Sequence, residues 1–174
     1  MRGYRKRPGT QGFSVPLVGA SLFFIISLFL FASYKNSAYQ QAKKEIYSLY
    51  TANRAFDLDE VYQDGLTAIY AKEYGKTATE AGCEALEQTG LPYVLLLSQF
   101  SAPVERVYVT NCQRSETGRE KKARTYDYTV SVRFCLEKGD EMLAPEKTMD
   151  FHGTVVMKKK GWFRWLLDGV TLGE

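Results

Sequence analysis

The chain has 174 residues, of which 45% are apolar and 25% charged, which suits one globular domain of ordinary size but not two. Its 23 basic side chains exceed the 20 acidic ones by three, and four of the basic residues lie among the first seven. The remainder is therefore almost neutral and lacks the basic field that holds a nucleic-acid backbone. These numbers exclude a large multidomain enzyme and argue against nucleic-acid binding.

An uncharged apolar run covers residues 15–34. As a helix it would measure about 30 Å, the thickness of the hydrocarbon core of a bilayer. The run therefore predicts a single transmembrane helix that remains as a permanent anchor. Residues 1–14 are predicted to be a basic cytoplasmic tail because positively charged flanks stay inside. Residues 35–174 are then an exported domain on the extracellular or periplasmic side of the cytoplasmic membrane.

Two other interpretations of this run remain open. A cleaved signal peptide requires a shorter apolar region and small residues before the cut, whereas Phe31 and Asn36 stand at the corresponding positions. The pair Gly12-Phe13 resembles the cleavage site of type IV prepilins, but Leu17 occupies the place where those proteins usually carry Glu. The anchor is the interpretation that the sequence favours.

Two amphipathic helices are predicted to follow the run. Apolar residues spaced by three and four indicate a helix over residues 36–56. Asp57 and Glu60 have the spacing of a capping box and predict a second helix over residues 58–74, ended by Gly75.

A third helix is predicted over residues 78–88. Thr77 and Glu80 have the capping-box spacing at its start. Gly90 and Pro92 are residues that end helices.

The carboxy-terminal seventy residues change from helical periodicity to alternation. Residues 126–136 and 149–157 alternate apolar and polar side chains, which is typical of strands with one buried face. Two further strands are predicted over 104–112 and 163–172, and two connecting loops over 115–124 and 138–147. Helices followed by consecutive strands predict an α+β domain, with about three helices packed on a curved four-stranded antiparallel sheet.

This part of the chain resembles the nuclear-transport-factor-2-like superfamily, whose fold is a cone of helices and a bent sheet. The resemblance rests on the helix pair around residues 57–62, the strand pattern and the ending KGWFRWLLDGV at residues 160–170, and it covers residues 36–174. With one amino-terminal span, the chain is similar to single-span scaffold subunits of type IV secretion and conjugation systems. Many uncharacterised exported bacterial proteins look the same.

The resemblance implies a cone that can hold a pocket, in which enzymes of the superfamily use Asp, His or Tyr. Here His152, the only histidine, and Asp127 alternate with inward apolar residues and are predicted to lie outside the pocket. We therefore predict no catalytic constellation and no cofactor. Six tyrosines are candidates to line a pocket, although burial in the core is favoured: Tyr47, Tyr50, Tyr62, Tyr70, Tyr126 and Tyr128.

The three cysteines, Cys83, Cys112 and Cys135, lack the spacing of a redox or zinc site, and we predict no metal. Buried free thiols are favoured over a single disulfide. A hairpin turning near residues 119–120 would set Cys112 opposite about residue 128, far from Cys135.

A basic run, Lys158, Lys159 and Lys160, lies close to Trp162. Cationic and aromatic side chains together suit a membrane-proximal or partner surface. A solvated hairpin turn is the simpler interpretation of the same residues.

Taken together, the sequence predicts a membrane-anchored, non-catalytic binding or assembly module that works with a protein partner or as a homo-oligomer. The scaffold subunit of a secretion or conjugation machine is one such role. The alternatives are a small-ligand-binding or enzymatic protein that uses the cone pocket and, third, a type IV pilin-like subunit.

Overall fold

The structure is a computed structural model that describes residues 15–51, 65–91, 104–136, 146–161 and 164–173. The chain divides into two compact units, Met1–Tyr34 and Lys35–Glu174. Several sequence predictions fall outside the described residues: the basic tail, the Asp57–Glu60 capping box, Tyr62, Pro92, most of the loop at 138–147, and Trp162.

The first unit contributes helix α1, Val15–Lys35. Its large apolar side chains are exposed, from Ile26 at 49% to Phe23 at 74%. Among the described residues no single helix is both long and apolar enough to cross a membrane. Only α1 together with the next helix, Ala38–Thr51, has the required length and apolar composition, and the two helices are bent at the break between them.

The second unit contains three described helices, α2 (Ala38–Thr51), α3 (Leu66–Tyr74) and α4 (Glu80–Thr89). Helix α2 is amphipathic, and its inner face buries Ile46, Leu49 and Tyr50 against the sheet. Helix α4 ends at Gly90, whose φ of 70° is left-handed and costs little without a side chain. The predicted helix at 36–56 is thus present from Ala38 to Thr51, with residues 52–56 outside the described part, and the predicted helix at 78–88 is present as Glu80–Thr89. The predicted 58–74 helix is described only from residue 66.

The start of α4 differs from the prediction. Thr79, and not Thr77, is the N-cap, and its Oγ1 accepts a hydrogen bond from the backbone N–H of Gly82 at 3.1 Å. The reason lies in the sheet, because the segment before α4 is held as an extended partner of the last strand. Thr79 N–H donates to the carbonyl of Leu167 at 2.8 Å, and Leu167 N–H donates to the carbonyl of Thr77 at 2.9 Å.

Four antiparallel strands form one open sheet in the order β1-β2-β3-β4. They are β1 (Val104–Arg119), β2 (Ala123–Leu136), β3 (Glu146–Lys160) and β4 (Arg164–Leu172). The chain is therefore an α+β protein, as predicted, with four helices and this sheet in its described part. The alternation in residues 126–136 correctly identifies the buried side of β2, where Val130, Val132 and Phe134 are fully buried.

The predicted loop at residues 115–124 is wrong. Strand β1 continues to Arg119 and β2 begins at Ala123, so that only a tight turn remains, closed by a hydrogen bond from Glu120 N–H to the Ala123 carbonyl at 3.0 Å. The polar side chains of this hairpin, residues 115–124, contact one another along and across the two strands. Glu116, for example, accepts a hydrogen bond from Arg119 at 2.5 Å and lies 3.7 Å from Arg124.

Candidate functional site

The tyrosines that were candidates to line a cone pocket lie mainly in the core. Tyr50, Tyr70, Tyr126 and Tyr128 are at most 3% exposed and belong to one continuous apolar cluster, whereas Tyr47 is half-buried. The hydroxyl groups of Tyr50 and Tyr128 are hydrogen-bonded to each other at 2.9 Å. Burial is the main cause that raises the pKa of both phenols, so both stay neutral at physiological pH.

One carboxyl group is buried beside this cluster. Glu45 on α2 is 6% exposed, although it belongs to a helix whose other charged residues face solvent. Burial raises the pKa of its carboxyl group, while the charge of Lys44 and a hydrogen bond from Thr77 act in the opposite direction and more weakly. Glu45 is a buried acid whose neighbours compensate its charge only in part.

A second feature is a cavity of about 680 Å³, which we call the hairpin pocket. One wall belongs to α3, α4 and the turn between them, and the other belongs to the end of β3 and the start of β4. Its apolar lining includes Ala71, Ala78 and Leu166. Leu166 is 3% exposed, yet it does not belong to the main core cluster. Ala78, in contrast, belongs to that cluster, so the apolar floor of the hairpin pocket borders the main core.

Asp168 holds the two walls of the hairpin pocket together. Its Oδ1 accepts a hydrogen bond from Thr79 Oγ1 at 2.6 Å, and Lys158 Nζ lies 3.3 Å from the same oxygen. Because Thr79 also caps α4, one carboxylate links the helix start to both strands of the hairpin. The sequence placed Asp168 only within the predicted strand at 163–172.

The polar rim of the pocket carries both signs of charge. Glu80 and Glu84 belong to the helical wall, and Lys158, Lys159 and Lys160 to the strand wall. The volume lies within the range of small-molecule sites, and an apolar floor with a few polar groups suits a ligand of mixed character. Cys83 also lines the cavity, and burial raises the pKa of its thiol, which keeps it in the unreactive protonated form.

His152 and Asp127 lie together on the sheet face opposite the main core, where both are exposed. Each is hydrogen-bonded to a threonine of the neighbouring strand: His152 Nδ1 lies 3.1 Å from Thr129 Oγ1, and Thr154 Oγ1 donates to Asp127 at 2.9 Å. They border a shallow hollow of about 470 Å³. Both residues lie on the face that the alternation of apolar and polar residues predicts. The hollow is open and excludes little water, which is unfavourable for catalysis.

Cys83, Cys112 and Cys135 form no disulfide with one another. Cys112 is paired with Val130 in the sheet, and Cys135 with Arg106 and Glu146, so the register separates them as predicted. Only Cys83 is buried, however, whereas Cys112 and Cys135 are half-buried. In the described ranges no group of three His, Cys, Asp or Glu side chains is arranged to hold a metal ion.

The basic run ends β3 at a hairpin turn, which is the simpler of its two interpretations. Lys158, Lys159 and Lys160 are exposed, and Gly161 follows with a φ of 73° before β4 starts at Arg164. The Nζ of Lys159 lies 6.0 Å from the centre of the Trp165 ring.

Comparisons with protein-family models, with curated proteins and with solved structures give no match. The site must therefore be interpreted from its own residues.

Sequence reasoning missed the hairpin pocket and the linking role of Asp168. The helical wall and the strand wall are about ninety residues apart in sequence, since the Thr79–Asp168 hydrogen bond joins positions 89 apart. The sequence carried only part of the necessary signal. The Thr77–Glu80 pair at the start of α4 and the basic run were both noted, but nothing in their spacing indicated that they lie close together.

Proposed function

We propose that this chain is a single-span membrane protein whose exported domain is a non-catalytic binding or assembly module. The observation that carries the proposal is helix α1. It has 21 residues with no charged side chain before Lys35, and its large apolar side chains from Leu22 to Tyr34 are exposed. An exposed apolar surface of this extent on a soluble protein would be a strong aggregation hazard, whereas lipid satisfies it.

The interior of the domain supports a binding rather than a catalytic role. The space between α2 and the sheet is filled by aromatic rings, with Tyr50 against Phe151 at 5.3 Å and Tyr39 against Tyr126 at 6.0 Å. A substrate would have to displace these packed rings and break the hydrogen bond between the hydroxyl groups of Tyr50 and Tyr128. A partner is therefore expected to bind the outer surface.

For the finer fold we propose the nuclear-transport-factor-2-like cone, and for the role a scaffold subunit of a secretion or conjugation machine. An antiparallel sheet in sequential order with helix α2 packed on one face supports the cone. The role rests on the resemblance of the sequence and on the anchor. Cross-linking in native membranes followed by mass spectrometry tests it, and a chain recovered only as a monomer would count against an assembly role.

The anchor is tested by replacing Phe24 and Leu28 in α1 with Arg, each of which costs about 3 kcal/mol at the centre of a span. We expect the wild-type chain to remain in membranes after alkaline extraction and the double variant to be released. Phe24→Leu with Leu28→Ile is the matched control and should stay. A wild-type product that is soluble and begins after residue 34 would identify a signal peptide, and one that begins at Phe13 would identify a pilin-like subunit.

A second function is favoured by the hairpin pocket. Its volume of about 680 Å³ and its mixed rim suit a small amphiphilic ligand. Native mass spectrometry of the full chain in detergent tests this function directly. A small molecule that remains bound to the chain would support it. A mass equal to that of the bare chain after incubation with a lipid extract would count against it.

A further inference from the structure

The turns of the two β-hairpins lie side by side at one end of the sheet. The backbone N–H of Lys159 donates to the carbonyl of Lys122 at 2.7 Å, and Ala123 is paired with Lys158. We call this region the hairpin end and define it as residues 119–124, residues 158–161 and Arg164. The sequence places these segments almost forty residues apart.

The hairpin end is strongly basic. Eight basic side chains occur there against one acidic side chain, Glu120, in a chain whose total surplus is three. Two of the eight, Arg119 and Arg124, are partly neutralised by Glu116, and Lys158 is paired with Asp168. In the described part of the chain, no ion pair involves the four exposed lysines Lys121, Lys122, Lys159 and Lys160.

The hairpin end also faces the side from which the chain enters the domain. Tyr39, in the first turn of α2, packs against Tyr126 and lies under the guanidinium of Arg114 at 3.8 Å. Further along α2, Tyr50 contacts Tyr128. Tyr126 is two residues nearer to the turn of β2 than Tyr128, so the start of α2, which follows Lys35, is the end of that helix nearer to the hairpin end.

We infer that the hairpin end contacts the anionic phospholipid headgroups of the membrane in which the chain is anchored. This inference rests on the proposed span, because only three residues separate the start of α2 at Ala38 from residue 34. The exposed lysines of the hairpin end then lie near the bilayer, where each cation is attracted to anionic lipid within a Debye length. The contact would hold the domain in one orientation and leave the opposite end of the sheet facing away from the lipid.

The test uses the full chain in lipid nanodiscs made of phosphatidylcholine alone or with about one quarter phosphatidylglycerol. Lysine acetylation by a water-soluble reagent is followed by mass spectrometry. We expect Lys121, Lys122, Lys159 and Lys160 to react about fivefold more slowly in the anionic discs at low salt, with recovery at high salt. Lys147, at the opposite end of the sheet, is exposed and should react equally in both lipids.

A charge-reversed variant makes the result specific. In Lys121→Glu with Lys122→Glu, the protection of Lys159 and Lys160 should be lost, whereas Lys147→Glu should keep it. Equal labelling in both lipids, or protection in phosphatidylcholine alone, would overturn the inference while the chain still remains in the discs. A chain that does not stay in the discs would remove the proposed anchor and this contact with it.

Discussion

The hydrogen bond between Tyr50 and Tyr128 illustrates how single residues determine the interior. Each phenol brings an apolar ring to the core and a hydroxyl group that must find a partner there. Gly153 on β3 completes the arrangement, because a Cβ at this position would lie 2.6 Å from the Tyr128 hydroxyl oxygen and 2.3 Å from the Thr171 carbonyl oxygen. The ring of Tyr128 occupies the space that a side chain would fill.

Removal of both hydroxyl groups should cost less than the sum of the two single removals. Tyr128→Phe leaves the buried Tyr50 hydroxyl without its partner, which costs about 1–3 kcal/mol, whereas Tyr50→Phe with Tyr128→Phe should cost less than the sum of the single changes. Urea unfolding of the full chain in detergent, followed by near-ultraviolet circular dichroism, measures these free energies. Strict additivity would show that the two hydroxyl groups do not depend on each other.

Gly153→Ala should destabilise the fold by about 1–3 kcal/mol because neither the neighbouring backbone nor the tyrosine ring can move freely. Gly169→Ala on β4 is the matched control, since its new Cβ would make only ordinary contacts of 3.6 Å with Val156. Thermal unfolding of both variants gives the comparison. Equal melting temperatures would contradict the tight packing at Gly153.

The buried carboxyl group of Glu45 should make stability depend on pH. Because burial raises its pKa in the folded state above the ordinary value of 4.5, the folded state binds the proton more tightly than the unfolded state does. The free energy of unfolding should therefore fall as pH rises from about 4.5 through the folded-state pKa. Glu45→Gln should be more stable than wild type at pH 7, and the difference should shrink near pH 4. A pH-independent difference would disprove this linkage.

Among the secondary-structure elements, strands β2 and β3 could be predicted best because one face of each is buried and the other is polar. The arm of β1 and β2 around residues 115–124 could not, because its polar side chains face each other across the hairpin and remove the alternation. The start of α4 was predicted two residues early. Backbone hydrogen bonds to Leu167 in the last strand hold residues 77–79 extended, so that the helix starts after Thr79. The local sequence does not reveal this distant contact.

Thr79→Ala should lower stability by about 1–2 kcal/mol, because it removes the cap of α4 and a hydrogen bond to Asp168. Thr79→Ser keeps both hydroxyl contacts and should lose only a fraction of this. Urea unfolding of the two variants separates the loss of the hydroxyl group from the loss of the methyl group. If Ser and Ala variants were equally destabilised, the hydroxyl group would have no role.

At the scale of the whole molecule, the described core of the domain begins at Ala38, and none of the first unit's residues whose burial is described belongs to it. The division into an apolar helix and an α+β unit could be predicted from the sequence, since an uncharged run and a change of periodicity are local signals. The hairpin pocket and the hairpin end could not, because both are formed by residues that only tertiary folding brings together.

A chain without residues 1–34 should therefore fold as a cooperative unit. We expect a sigmoidal thermal transition and sharp near-ultraviolet dichroism from its buried tyrosines. The full chain in detergent is the reference. A gradual transition with weak aromatic dichroism would show that the domain needs its amino-terminal helix to pack.

Both flanks of the sheet carry obstacles to an added strand. The register of β1 shifts at three places, and the Thr77–Thr79 segment already bonds to β4. Edge strands that are irregular or already paired hinder the addition of a strand from another copy of the chain. Many copies at high local concentration should accordingly resist fibre formation, and any assembly they build should rely on side-chain contacts.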